Sequence, residues 1–230
     1  QMILDPFLSG YPEHHLPPSP VSVDDLPEID LIVTTHGSRD HFGDTFEIME
    51  KQPASRLICG IDMKFHANHR GIPDSRIGLM VSGSKFEYKD VRIKAVEARH
   101  FSWTLHHGQP VMGPAMCYVI STKDGVVFFG GDTSITYDLK LYGELYRPDI
   151  AMIGVGGALI EGRTVEELDP LEAAIAAEFL GVKVAIPMHY REMEAALSFK
   201  QHLASRAPLA QAKMMSPGEK IKFEKHGGII

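Results

Sequence analysis

Cysteine is nearly missing from this chain, tryptophan occurs once, and no apolar run is long enough to cross a bilayer. The two cysteines, Cys59 and Cys117, each sit inside an apolar run, RLICG and AMCYVIS, with no CxxC spacing. They read as buried, reduced strand thiols, which excludes a disulfide framework and a cysteine metal clip. Positive charge is also scarce, since 23 Lys and Arg face 30 Asp and Glu for a formal net charge of −7. No basic excess is available to hold a phosphate backbone, so nucleic acid is not an expected partner. The opening QMILDPFLSG lacks the charged and apolar regions of a signal peptide. The expectation is a soluble, cytoplasmic protein with no membrane partner.

Apolar residues make up 44% of the 230, enough to bury a full core, and one α/β domain spanning residues 1–230 is expected. Residues 11–28 carry five prolines and read as a loop. DLIVTT is the first clear strand, followed by the polar loop THGSRDHFGD and a helical pattern. Further strands are read at RLICG, IGLMVS, KFEYKD and VRIKAVEA, with a helix over IDMKFHANHR. PAMCYVIST and GVVFFGG form a hairpin around the turn KDG. YDLKLYGELY reads as a helix and DIAMIGVGG as a buried strand. Asp169-Pro170 opens the helix LEAAIAAEFL, which Gly181 stops. VKVAIPMHY is a strand delivering a histidine, EMEAALSFKQHLAS a helix, and AKMMSPGEKIKF a final strand pair. Strands interleaved with a few helices suit two sheets in a sandwich with helices outside better than a strictly alternating doubly wound sheet.

Histidine is abundant, with 12 residues, and metal-binding side chains recur at the ends of strands. His36, Asp40 and His41 follow the first strand, His100 follows VRIKAVEA, Asp132 follows VVFFGG and His189 follows VKVAIP. A divalent metal needs several imidazole or carboxylate ligands converging on one point, and a rigid sheet can bring distant positions there. A lone loop histidine means little; the repetition carries the signal.

On these residues the chain resembles the ascorbate-6-phosphate lactonase-like branch of the metallo-β-lactamase superfamily and the metal-dependent hydrolases near it. LDPFLSG is similar to the branch's strand-to-loop opening, THGSRDHFGD to its HxHxDH metal loop, and EARHFS to its isolated histidine. GGDTS is similar to its bridging aspartate segment and DPLEAAIAAEFLGVKVAIPMHY to its last helix and histidine. The resemblance implies a four-layer αββα sandwich. It also implies one metal site with His36 and His100, another with Asp40, His41 and His189, and Asp132 bridging them. The cofactor expected is one or two zinc ions, with manganese or iron as alternatives. Reaction would proceed through a metal-activated water, with Asp40 as the catalytic residue orienting that water or ligating metal, on a small phosphorylated, lactone or ester substrate. Arg39, Arg99, Trp103, His106, His107, Tyr190 and Arg191 are the candidates for contacting it. Relatives of this branch form dimers or larger rings, so a homo-oligomer is expected.

Two departures matter. Ser38 stands where the metal loop has its second histidine, and a neutral hydroxyl is a poor zinc ligand, so the first metal site is expected to be the weaker. Relatives also carry a hairpin and a Gly-His-Ala-like strand before LDPFLSG, ahead of where this sequence begins; that piece is either unobserved, removed or truly absent, and only in the last case would one sheet edge need covering. Two competing readings follow: a catalytically degenerate metal-binding scaffold, and a metal-dependent nuclease, which the acidic balance disfavours. His14 and His15 could reach the site from the proline-rich segment. His66 and His69 share a helix face but lack the Glu of HExxH and read as structural. The glycines of GVGGALIEG suggest either an anion-binding turn before a helix or close backbone approach to the metal loops.

Overall fold

The computed structural model describes residues 1–14, 16–160, 163–224 and 228–229, the side chains of residues 14, 158–160, 163–166, 224, 228 and 229 excepted. His15 and the side chain of His14 lie outside the described residues. The chain divides into two compact units, residues 1–84 with 101–116, and residues 85–100 with 117–230.

The first unit is built on four parallel strands in the order β1 (Met2–Leu4), β2 (Leu31–Val33), β3 (Arg56–Cys59) and β4 (Ile77–Leu79). Parallel strands are covered on both faces, which is why LIV and LIC are continuous apolar runs, fully buried. Helices α1 (Arg39–Phe42), α2 (Thr45–Lys51) and α3 (Ile61–His69) connect them, and Phe42, Ile48, Met49, Met63 and Ala67 close the core. Cys59 is free and buried in this core, where burial pushes its thiol pKa up, as a structural thiol requires.

The other large sheet has seven strands. It comprises β5 (Lys85–Tyr88), β6 (Val91–His106), β7 (Gln109–Ser121), β8 (Val126–Phe129), β9 (Ile150–Gly154), then β12 (Val184–Met188) and β13 (Gln211–Ala212) at the far edge. Between β9 and β12 lie the hairpin β10 (Gly156–Ile160) and β11 (Arg163–Leu168) and helix α5 (Pro170–Leu180). Helix α4 (Asp138–Tyr146) precedes β9, α6 (Met193–Arg206) follows β12, and a small ribbon of β14 (Phe223–Glu224) and β15 (Gly228–Ile229) ends the chain. Strands β8, β9, β12 and β13 run parallel, whereas β7 and β8 are antiparallel, the hairpin read from KDG. Helix α5 starts with the expected cap, the Asp169 carboxylate accepting from Glu172 N–H at 2.8 Å, and stops at Gly181 with φ 65. Among the described residues no helix is long and apolar enough to cross a membrane.

Three readings are corrected. Strand β6 does not stop at VRIKAVEA; it runs on through His100 to His106, so that histidine sits within a strand and not in a loop. The alternation continues inverted: Ser102 and Thr104 are buried while Phe101, Trp103 and Leu105 are exposed, so a hydrophobic pattern alone misses it. GVGGALIEG opens no helix: Gly154 ends β9, Gly156–Ile160 forms β10, and residues 161–162 lie outside the described residues. AKMMSPGEKIKF is not a strand pair, since β13 extends the large sheet beside β12 and β14 pairs with β15.

Candidate metal centre

In the first unit the polar side chains gather at the carboxyl ends of the parallel strands, where an open α/β sheet places its ligand sites. Asp5 follows β1, Thr35 and His36 follow β2, and Gly60 and Asp62 follow β3. His36 and His41 are buried, their ring centroids 4.1 Å apart. Asp5 organises both. Its carboxylate accepts from Thr35 N–H at 2.7 Å and Thr35 Oγ1–H at 2.6 Å, and lies 2.7 Å from His41 Nδ1. Because the Thr35 hydroxyl donates to Asp5, its oxygen is left to accept from His36 Nδ1, 3.1 Å away. This network assigns the protons of both rings to Nδ1 and leaves both Nε2 atoms as lone-pair donors, the form a metal requires. Asp5 adopts a left-handed backbone, φ 41, the kind of local strain that clusters at functional sites. Asp40 lies in the first turn of α1, with its carboxylate 3.7 Å from His41 Nε2. Ser38 is the N-cap residue of that helix, its carbonyl accepting from His41 and Phe42 N–H.

The loop carrying these groups is pinned from below. Gly37 N–H donates to Ser102 Oγ at 2.8 Å, and Ser102 Oγ–H donates to Asp62 Oδ2 at 2.5 Å. A side chain at Gly37 would come within 2.5 Å of the Trp103 carbonyl, so this position tolerates only glycine. Burial raises the Asp62 carboxyl above the usual aspartate range, the Ser102 hydrogen bond opposing it. Of the substrate candidates, Arg39 is exposed and stacks over the Tyr11 ring at 3.8 Å, Trp103 is exposed on the outer face of β6, and His107 stands beside His69 and His106.

In the second unit, three adjacent parallel strands deliver side chains from the same end. Asp132 follows β8, Gly154 ends β9 and His189 follows β12. Their donors converge: atoms of Asp132, Glu167 and His189 lie within 4.8 Å of one another, and His189 Nε2 is 3.6 Å from Asp132 Oδ2. Both carboxylates are buried. The Asp132 loop is laced to β6 beside His100, as Arg99 N–H donates to Thr133 Oγ1 and Ser134 N–H to the Arg99 carbonyl. A side chain on Gly154 would lie 3.1 Å from the Gly131 carbonyl and under 4 Å from Asp132 and His189, the close backbone approach expected of that glycine run. His189 also sits in the left-handed region, φ 61, while Tyr190 is half-buried and Arg191 exposed in the loop after it. A cleft of about 750 Å³ lined by Lys140, Arg147, Asp149 and Lys183 opens at the opposite ends of these strands and holds none of the ligand candidates.

Two candidate residues of the site escape the sequence reading. Asp5 is visible only as part of LDPFLSG, and its partner His41 is 36 positions away. Glu167 precedes the Asp169 cap, in a segment that shows no motif. Asp132, Glu167 and His189 bring two carboxylates and an imidazole to one place, the oxygen and nitrogen donors that divalent first-row metals take. The donor set therefore fits a divalent metal, and its carboxylate content suits manganese or iron as well as zinc.

Comparison with known proteins decides the family. Residues 1–190 match the family described as Beta-lactamase superfamily domain. A metal-dependent hydrolase of Methanopyrus kandleri is 35% identical over 190 residues, 82% of this chain and 76% of that protein. This chain belongs to the metal-dependent hydrolases of the metallo-β-lactamase superfamily. One of Korarchaeum cryptofilum is 30% identical over 97% of the chain and 92% of its own length. Among solved structures, a metallo hydrolase from Ignicoccus hospitalis superposes with a TM-score of 0.76 at 25% identity, covering 95% of this chain and 88% of its own. The α/β fold read from the sequence is thus the metallo-β-lactamase fold of these relatives.

Proposed function

We propose that this chain hydrolyses a small phosphorylated, lactone or ester substrate with a metal-activated water. The observation that carries the reading is the convergence of Asp132, Glu167 and His189, two buried carboxylates and an imidazole, at the carboxyl ends of adjacent parallel strands. The ligand assignment is that of the resemblance, with His36 and His100 serving one ion, Asp40, His41 and His189 another, and Asp132 shared. Glu167 adds a carboxylate that Asp132 and His189 can complement. When bound, a divalent ion brings the pKa of its water down to about 7 and polarises the oxygen under attack. The chain supplies the rest. Asp5 holds His41, and through Thr35 His36, in the tautomers that present Nε2. Asp40, half-exposed at the mouth of its loop, orients the water and accepts its proton. Arg39, Trp103, Tyr190 and Arg191 are the side chains proposed to receive the substrate.

We further propose that the protein is cytoplasmic and an oligomer of itself. The exposed row of Phe101, Trp103 and Leu105 along β6 supports the latter. The test is metal content per chain of protein purified without added metal, with hydrolysis of a phosphodiester and lactone panel before and after chelation. One or two metals with chelator-sensitive turnover are expected. Metal without turnover would favour the scaffold reading, to which Ser38 lends support.

A further inference from the structure

Helix α3 and the β6–β7 turn bring three histidines together in the first unit. His69 ends α3, His106 ends β6, and His107 begins the two-residue turn. Their ring centroids are 4.2 Å apart for His69 and His107, 4.8 Å for His69 and His106, and 4.5 Å for His106 and His107. One nitrogen from each lies within 4.8 Å of the others. His107 and Gly108 both have positive φ, 50 and 73, the geometry of a tight hairpin turn, which Asn or Gly fills at less cost than His. One helical turn before His69, the His66 ring lies with Nδ1 2.9 Å from the Leu105 carbonyl and ties the helix to the hairpin. Among the described residues, Nδ1 of His106 is buried with no hydrogen-bond partner. A buried ring nitrogen in a cluster of imidazoles is poorly accounted for by stacking alone.

We propose that His69, His106 and His107 form a second metal site that takes a late first-row divalent cation such as zinc. Three imidazoles plus an open position form a tetrahedral zinc set, and the cluster offers no carboxylate for calcium or magnesium. Closing it requires the nitrogens to draw in to roughly 2.0–2.1 Å from the ion, within reach of the exposed His69 and His107 side chains. A bound ion staples the hairpin tip to the end of α3, and the open position leaves it able to take a water or an anionic ligand.

The site is tested on the full chain, stripped by chelation and then titrated with zinc and with cobalt. The wild type is expected to bind one more zinc per chain than the double variant H69A/H107A, and that variant to lose one tetrahedral cobalt absorption component. The single variant H69Q, at an exposed helix end where folding is not at stake, is expected to show the same loss. Protein carrying D132N and E167Q should keep this equivalent, which separates the site from the proposed hydrolytic centre. Equal zinc stoichiometry in wild type, H69Q and H69A/H107A would overturn the proposal.

Discussion

Asp5 acts on two imidazoles through one carboxylate, and the charge on that carboxylate is what makes the arrangement hold. It takes both donors of Thr35 and the Nδ1 proton of His41, so replacing it changes the tautomer balance of His36 and His41 together. Asp5→Asn keeps the shape and tolerates the left-handed backbone, but an amide cannot accept from three donors with the strength of an anion. It should weaken metal binding by about 10–100-fold, the usual effect of losing such an orienting group, and also lower the thermal midpoint of the metal-free protein, because buried donors of Thr35 and His41 lose their acceptor. A metal titration that gave unchanged affinity would remove Asp5 from the site. Ser38→His tests the neighbouring departure: restoring an imidazole should raise the metal stoichiometry, and no rise on metal analysis would mean that Ser38 is not what weakens the first site. At this scale the candidate ligands that follow strands, such as His36, Asp132 and His189, were legible as residues, because a polar side chain after an apolar run is visible locally. Asp5 and Glu167 were not legible, since what gives them meaning is a partner far along the chain.

Elements explain why the ligands hold still. The long strand β6 was read too short because its inner face past Arg99 is polar, and that polarity has a structural purpose: Ser102 and Thr104 bond Asp62 at the start of α3, and Ser102 also takes the Gly37 amide. The helices, the KDG hairpin and the buried parallel strands were legible because periodicity, caps and turn residues are local, whereas an inward polar stripe needs its partner to be understood. The Asp62 carboxyl gives this element a pH signature. Its folded pKa is raised, so its contribution is fully present below the unfolded value of about 4 and is lost as pH rises through the folded value. Asp62→Asn removes that titration. The stability of the variant relative to wild type should therefore increase as pH is taken from about 4 to 8. Denaturant midpoints that run parallel for the two proteins across this range would show that Asp62 titrates alike in both states.

For the whole molecule the consequence of the buried carboxylates is a contribution to stability whose sign depends on metal. Asp132 and Glu167 are both buried, with donors within 4.8 Å of each other and of His189. If Glu167 and Asp132 ligate one ion, that ion turns two neighbouring negative charges that otherwise oppose each other into an attraction that holds the fold. An ion present at a hundredfold its dissociation constant adds about 2.7 kcal/mol to folding, and in a chain of this size each kcal/mol moves the thermal midpoint by roughly 2–4 °C. Chelation should therefore lower the midpoint by roughly 5–10 °C per ion lost. Glu167→Gln should act in opposite directions on the two forms, raising the midpoint of the chelated protein by relieving repulsion while shrinking the gain on adding metal. A calorimetric scan of both proteins, chelated and metal-loaded, reads all four midpoints. If Glu167→Gln lowered the chelated midpoint and left the metal-dependent gain intact, Glu167 would be a hydrogen-bonded carboxylate of the second unit and no part of the centre. The crossing of the two effects distinguishes a ligand from a merely structural acid, because only a ligand exchanges repulsion for attraction when the ion arrives.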